Sequence, residues 1–147
     1  GCDPNITRSE TDIVLDPVTG DQINSTVLVN IPITERPIAI KLRAKVPAGI
    51  QKFTVDISTD NSGFANAVQV ADAMHLDLVN PSATNMVIFD VVPFPYGEEL
   101  IAAEDVPFDI SAAQSAIKIF KGTHVFTMTI VDVNGKKKIS KVTMTVE

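Results

Sequence analysis

Between Gly122 and Val146 apolar and polar residues alternate with a period of two. Phe126, Met128 and Ile130 fall on one side of the chain and Thr127, Thr129 and Val131 on the other; Val142, Met144 and Val146 then alternate with Lys141, Thr143 and Thr145. A two-residue repeat sends successive side chains to opposite faces, so each run predicts a strand with one apolar face. Asp132-Val133-Asn134-Gly135 lies between the runs, and Asn-Gly accepts the positive φ angles of a tight primed turn. A β-hairpin whose register is set by that turn is expected. Two strands alone are not stable in water, so the preceding residues must supply a second layer over the apolar face.

Earlier in the chain the same reading gives further strands. Ile13 and Leu15 mark a short one within residues 11–15, closed by turn residues in Asp16-Pro17-Val18-Thr19-Gly20. Ser25 to Ile33 is an extended run in which Pro32, unable to donate to a ladder, points to a sheet edge or a bulge. Ile38, Ile40, Leu42 and Ala44 alternate with Lys41, Arg43 and Lys45 between Arg36 and Val46, and Phe53, Val55 and Ile57 alternate beyond Pro47-Ala48-Gly49. Those two strands are expected to pair as a hairpin. Val106, Phe108 and Ile110 alternate around Pro107, which predicts another edge strand, and Leu100 to Ala102 reads as a short strand.

The period changes in three places. Phe64, Ala67, Val68, Ala71 and Met74 stand at helical spacing behind Asn61 and Ser62, either of which suits an N-cap, so a helix of about three turns is expected. Asn80-Pro81 reads as the start of a short helix, although Met86-Val87-Ile88-Phe89 also suits a buried strand. Ser111 to Phe120 is a helix with Ser111 and Gln114 placed as a capping box. Pro93-Phe94-Pro95-Tyr96-Gly97 reads as a loop because each proline biases its predecessor away from helix.

Composition narrows the class. With 147 residues the chain fits one domain, taken as 11–147 behind a polar N-terminal tether, 1–10. Apolar residues at 45% and charged residues at 20% describe a globular chain, and no apolar run approaches the roughly 20 residues that span a bilayer. A net charge of −6, with Lys136-Lys137-Lys138 as the one dense basic cluster, gives no reason to expect nucleic acid as a partner. That cluster reads as a solubilising guard on an exposed strand end.

Cys2 is the single cysteine, so no internal disulfide is possible. Gly1-Cys2 followed by Asp3-Pro4-Asn5 looks like the end of a bacterial lipobox, in which a signal peptidase cuts before a lipid-modified cysteine and the upstream apolar segment is lost. The alternative is a non-native leading glycine before an ordinary exposed cysteine. On the first reading Cys2 is the lipidation site and the protein sits in the bacterial cell envelope, at the outer membrane or cell surface, held by a lipid anchor.

Catalytic constellations are sparse. His75 and His124 stand far apart and outside any metal or triad motif. Glu98-Glu99 and Glu104-Asp105 offer carboxylate pairs of the kind a glycoside hydrolase uses, but the bland reading is solvated loop charge. From Asp56 to Gly63 oxygen-bearing side chains recur as in a calcium loop, yet Asn61 stands where that loop needs glycine and Ala67 where it needs a bidentate glutamate. No cofactor or metal is expected. For sugar stacking the best candidates are Phe94 and Tyr96; the competing reading has Phe94 plugging one end of the fold and Tyr96 capping it.

Gly122-Thr123-His124 followed by an alternating strand and Asp132-Val133-Asn134-Gly135 resembles the closing strands of immunoglobulin-like modules of the polycystic-kidney-disease type. Ala44-Lys45-Val46-Pro47-Ala48-Gly49-Ile50, Leu78-Val79-Asn80-Pro81 and Phe108-Asp109-Ile110-Ser111 are similar to one group of such domains in bacterial surface lipoproteins, with helices inserted between strands. The match covers roughly residues 36–147. It implies an all-β, Ig-like antiparallel β-sandwich of about seven strands with two or three helical insertions, and it carries no catalytic residues. His124 departs from the tyrosine usual in these modules, whose hydroxyl ties the strand to an upstream loop; imidazole can donate a comparable bond. The resulting expectation is a non-catalytic surface lipoprotein module that binds a protein or glycan or acts as a spacer. A structural subunit of a pilus-like assembly is the alternative, and a carboxylate-based glycoside hydrolase comes third.

Overall fold

The computed structural model describes residues 12–15 and 25–147, with side chains from residue 28 onward. Among the described residues eight strands form two sheets: β1 (Asp12–Leu15), β2 (Ser25–Ile33), β3 (Lys41–Lys45), β4 (Ile50–Thr59), β5 (His75–Asp77), β6 (Asp105–Asp109), β7 (Gly122–Asp132) and β8 (Lys137–Val146). Three strands make one sheet in the order β1-β3-β6, and five make the other in the order β2-β8-β7-β4-β5. Cys2, the tether and the turn at Asp16–Gly20 lie outside the described residues.

The period-two rows meet between the sheets. Leu42 and Ala44 of β3, Phe53, Val55 and Ile57 of β4, Phe126, Met128 and Ile130 of β7, and Val142, Met144 and Val146 of β8 are all buried in one core cluster. Phe53 and Phe108, on opposite sheets, meet edge to face at 6.4 Å. Each Leu, Ile, Val, Phe or Met among them contributes about 1.5–3 kcal/mol by leaving water, so the two sheets are held chiefly by these rows. The architecture is mostly β with few helices, and it has the layering of a β-sandwich.

The terminal hairpin forms as the alternation requires, with Phe126 opposite Val142 and Thr127 opposite Lys141. Its turn differs from the expected primed type. Only Gly135 has positive φ (85°); its N–H donates to the Asp132 carbonyl at 3.0 Å, and Asp132 N–H donates to the Lys136 carbonyl at 2.9 Å. Asp132 decides the outcome, because Oδ1 accepts from the N–H groups of Asn134 (2.8 Å) and Lys136 (2.9 Å) and draws the chain into a three-residue loop ending in a glycine bulge.

β3 and β4 do not pair as a hairpin. β3 lies between β1 and β6, and β4 between β7 and β5, so the chain changes sheets at Pro47–Gly49. The crossing is fastened from a third segment: Val46 N–H donates to the Glu104 carbonyl (2.8 Å), Ile50 N–H to Ala103 (3.0 Å) and Ala102 N–H to Ile50 (2.7 Å). That role keeps 100–102 out of a strand, and the region instead carries a 3-10 turn at Glu98–Leu100. Lys136–Lys138 do not guard an edge either. β8 is covered by β2 on one side and β7 on the other, and Lys138 is buried on the inward row with Ser140.

Helical segments fill the connections. α1 (Ser62–Val70) begins at Asn61, whose Oδ1 accepts from Phe64 N–H at 2.9 Å, and buries Phe64 and Val68. The next helix starts later than Asn80-Pro81 suggests, as a 3-10 segment Asn85–Asp90 that buries Ile88 and Phe89. α2 (Ala113–Ile117) is shorter than the apolar pattern implies and has no capping box. Both capping residues work elsewhere: Ser111 Oγ accepts from Ile40 N–H (2.7 Å), while Gln114 bonds both the N–H (3.0 Å) and the carbonyl (2.6 Å) of Ile38. Those bonds hold the 34–40 segment where it can form no ladder. Pro32 and Pro107 sit on edge strands as their chemistry demands.

Candidate functional site

The best-built polar cluster gathers where β4 ends, α1 begins and β7 starts. His124 is fully buried. Its Nε2 lies 2.8 Å from the Phe120 carbonyl, which can only accept, so Nε2 carries a proton. Nδ1 lies 2.6 Å from the Thr59 hydroxyl, which can serve as donor or acceptor to it. Thr59 Oγ1 accepts in turn from Asn61 N–H (3.0 Å), and Asn61 Nδ2 donates to the Lys121 carbonyl (2.8 Å). Asp60 completes the clasp, with Oδ1 accepting from Thr123 N–H at 2.8 Å. The His124 ring packs on Phe64 at 4.6 Å and Phe64 packs on Phe120 at 5.3 Å. The bonds of this cluster run between groups of the chain itself on different elements, which makes it a fastener between them.

Three residues of the calcium-like stretch are therefore engaged: Thr59 with His124, Asp60 with Thr123, and Asn61 as the helix cap. Asp56, exposed on β4, accepts or shares a bond with His75 Nδ1 at 2.7 Å across the β4–β5 pair. Among the described residues no three of His, Cys, Asp and Glu stand together as metal ligands.

The aromatic candidates separate. Phe94 is buried against Phe126 (6.2 Å), whereas Tyr96 keeps 39% of its surface exposed. One face of Tyr96 is taken by Phe89, stacked at 4.4 Å and nearly parallel at 5°. Directly after Tyr96 the loop is anchored by Gly97 N–H on the Leu78 carbonyl at 2.8 Å. The two rings do not form a joint platform; Phe89, which the alternation did not single out as a partner, is the neighbour of Tyr96.

Glu98, Glu99 and Glu104 are exposed, and Asp105 pairs with Arg43 Nε at 2.9 Å across β3 and β6. Two cavities of about 280 Å³ each lie elsewhere. One is lined by Lys41, Leu42, Arg43, Pro107, Phe108 and Asp109 on the three-stranded sheet. The other lies at the end of β2 and β8 and includes Thr34, Glu35, Lys118 and Lys121. Neither gathers a carboxylate pair from 98–105. Asp109, at the rim of the first cavity, is held below the ordinary carboxylate value by the Ser111 side chain and then by Ser111 N–H, with Lys41 adding attraction against a small cost of burial.

Comparison with protein-family models, with characterised proteins and with solved structures gives no match. Among the described residues no helix is long and apolar enough to cross a membrane.

Proposed function

We propose that the chain is an Ig-like, non-catalytic surface module, held to a bacterial membrane through a lipid on Cys2 and serving to bind a protein or to space another domain. The observation that carries the reading is the use made of chemically capable side chains. His124, Asp60, Asn61, Asp132, Ser111 and Gln114 are all engaged with backbone groups or each other to close the fold.

Topology supports the Ig-like part. β3 and β6 share one sheet while β4, β7 and β8 share the other, matching the B, E and C, F, G strands of immunoglobulin-like sandwiches. His124 supports it further: its ring donates to the backbone four residues upstream, the service that a tyrosine hydroxyl performs in such domains. One departure is that β1 and β2 run parallel to their neighbours, where those sheets are antiparallel. The pilus-like reading gains less support, because the chain's own β1 and β2 already occupy the sheet edges that strand donation would fill.

The test is protease accessibility on intact cells, comparing the wild type with Cys2→Ser. The proposal expects a cell-bound, protease-accessible wild type and a released or periplasmic variant. Identical distribution of the two would overturn it.

A further inference from the structure

Sheet edges expose unpaired N–H and carbonyl groups, and three of the four edges here are visibly protected against pairing. β5 is three residues long and places exposed His75 and Asp77 outward. β6 has Pro107 between exposed Asp105 and Asp109. β1 has four residues, too few for a long pairing edge.

β2 is built differently. It is nine residues long, Ser-Thr-Val-Leu-Val-Asn-Ile-Pro-Ile, and contains no charged residue. Among the described residues it pairs only with β8, through nine consecutive partners without a register shift, so its outer edge is straight and regular. Ile31 and Ile33 are each 3% exposed, which seats the strand in the core. Leu28 is 69% exposed. Pro32, one residue from the end, is the sole protective residue along it.

We propose that the free edge of β2 docks a second copy of this chain, β2 against β2 in antiparallel register about a two-fold axis, joining two five-stranded sheets into one of ten. An isologous contact sets a surface against itself. A charged strand resists that arrangement because like charges meet across the axis, and β2 brings none. Pro32 removes one donor near the strand end and leaves Val27–Ile31 of each copy for pairing. With the axis near Val29, exposed Leu28 of one copy stands beside exposed Asn30 of the other. The net charge of −6 on each copy opposes approach, so association strengthens as salt screens that repulsion.

The experiment is sedimentation velocity on the full chain up to about 1 mM, at low and high salt. Wild type is expected to show a reversible dimer favoured by salt. Leu28→Lys and Asn30→Lys, both at exposed positions, each weaken it roughly tenfold by setting charge against the partner strand. Ile119→Lys, at a 71% exposed position outside the sheets, leaves it unchanged. As a second readout, an equimolar mixture of Leu28→Cys and Asn30→Cys chains, both in a Cys2→Ser background, forms a mixed disulfide on oxidation because those two positions face each other in this register, and Ile119→Cys does not. A wild type that stays monomeric throughout, or a dimer indifferent to both β2 lysines, overturns the proposal.

Discussion

Replacing His124 measures how much of the fold depends on the clasp between β4, α1 and β7. His124→Ala removes a fully buried ring packed on Phe64 and breaks two hydrogen bonds. A buried ring truncated to alanine costs about 3–5 kcal/mol in the larger aromatic cases, and each bond lost contributes about 1 kcal/mol, so about 4 kcal/mol is expected for the smaller imidazole. His124→Phe keeps the ring volume but strands the Phe120 carbonyl and the Thr59 hydroxyl, at about 2 kcal/mol. A domain of this size has roughly 5–15 kcal/mol in all, so the alanine variant gives up a large share of it. Urea unfolding gives the values directly; with a slope near 2 kcal/mol per M, the midpoints fall by about 2 M and 1 M. Thr59→Val combined with His124→Phe should show a coupling of about 1 kcal/mol. A phenylalanine variant within about 0.5 kcal/mol of wild type, with no coupling to Thr59, would refute the reasoning.

Three further outcomes follow from named contacts. Gly122 has φ of 123° and a Cβ there would run into the Asp60 carboxylate, whereas Gly135 has φ of 85° with open space around it; Gly122→Ala should cost about 3 kcal/mol and Gly135→Ala about 1, read by thermal melting. Phe94→Ala should cost about 3–4 kcal/mol as a buried ring, against about 1–2 for Tyr96→Ala, and on a glycan array Tyr96→Ala should leave the binding pattern unchanged. The Asp109 carboxyl is lowered from 3.8 in the folded state, so its contribution to stability is present above that value and disappears as pH falls through the lower folded one. Asp109→Asn should therefore be less stable than wild type near neutrality, with the difference closing in acid below about pH 4.

Elements whose patterns answer to a single partner were legible in the sequence. The β7–β8 hairpin could be read because both arms alternate strictly and the turn residues sit between them, and Pro32 and Pro107 announced edges through a missing donor. β3 and β4 were misread as neighbours because a strand with one apolar row shows the same alternation whether it pairs beside the next strand or faces it across the core. What separates the cases is bonding from Ala102–Glu104, more than fifty residues away. Ser111 and Gln114 misled for a similar reason: their spacing suits a cap, but the groups they satisfy are at Ile38 and Ile40. His124 was legible as a donor tying its strand to the preceding loop, while Thr59 as its partner was not, since nothing local links residues 65 positions apart. Phe94 and Tyr96 could be singled out as rings in a proline-rich loop; that Phe89 stacks on Tyr96 depends on where the preceding 3-10 segment ends.

If a lipid on Cys2 holds this module to a membrane, the mass of the N-terminal peptide reveals it. Protein extracted from the native membrane should yield, by mass spectrometry after digestion, a Cys2 peptide heavier than its sequence by a diacylglyceryl group. A Cys2 peptide recovered with a free thiol and no added lipid would contradict the claim.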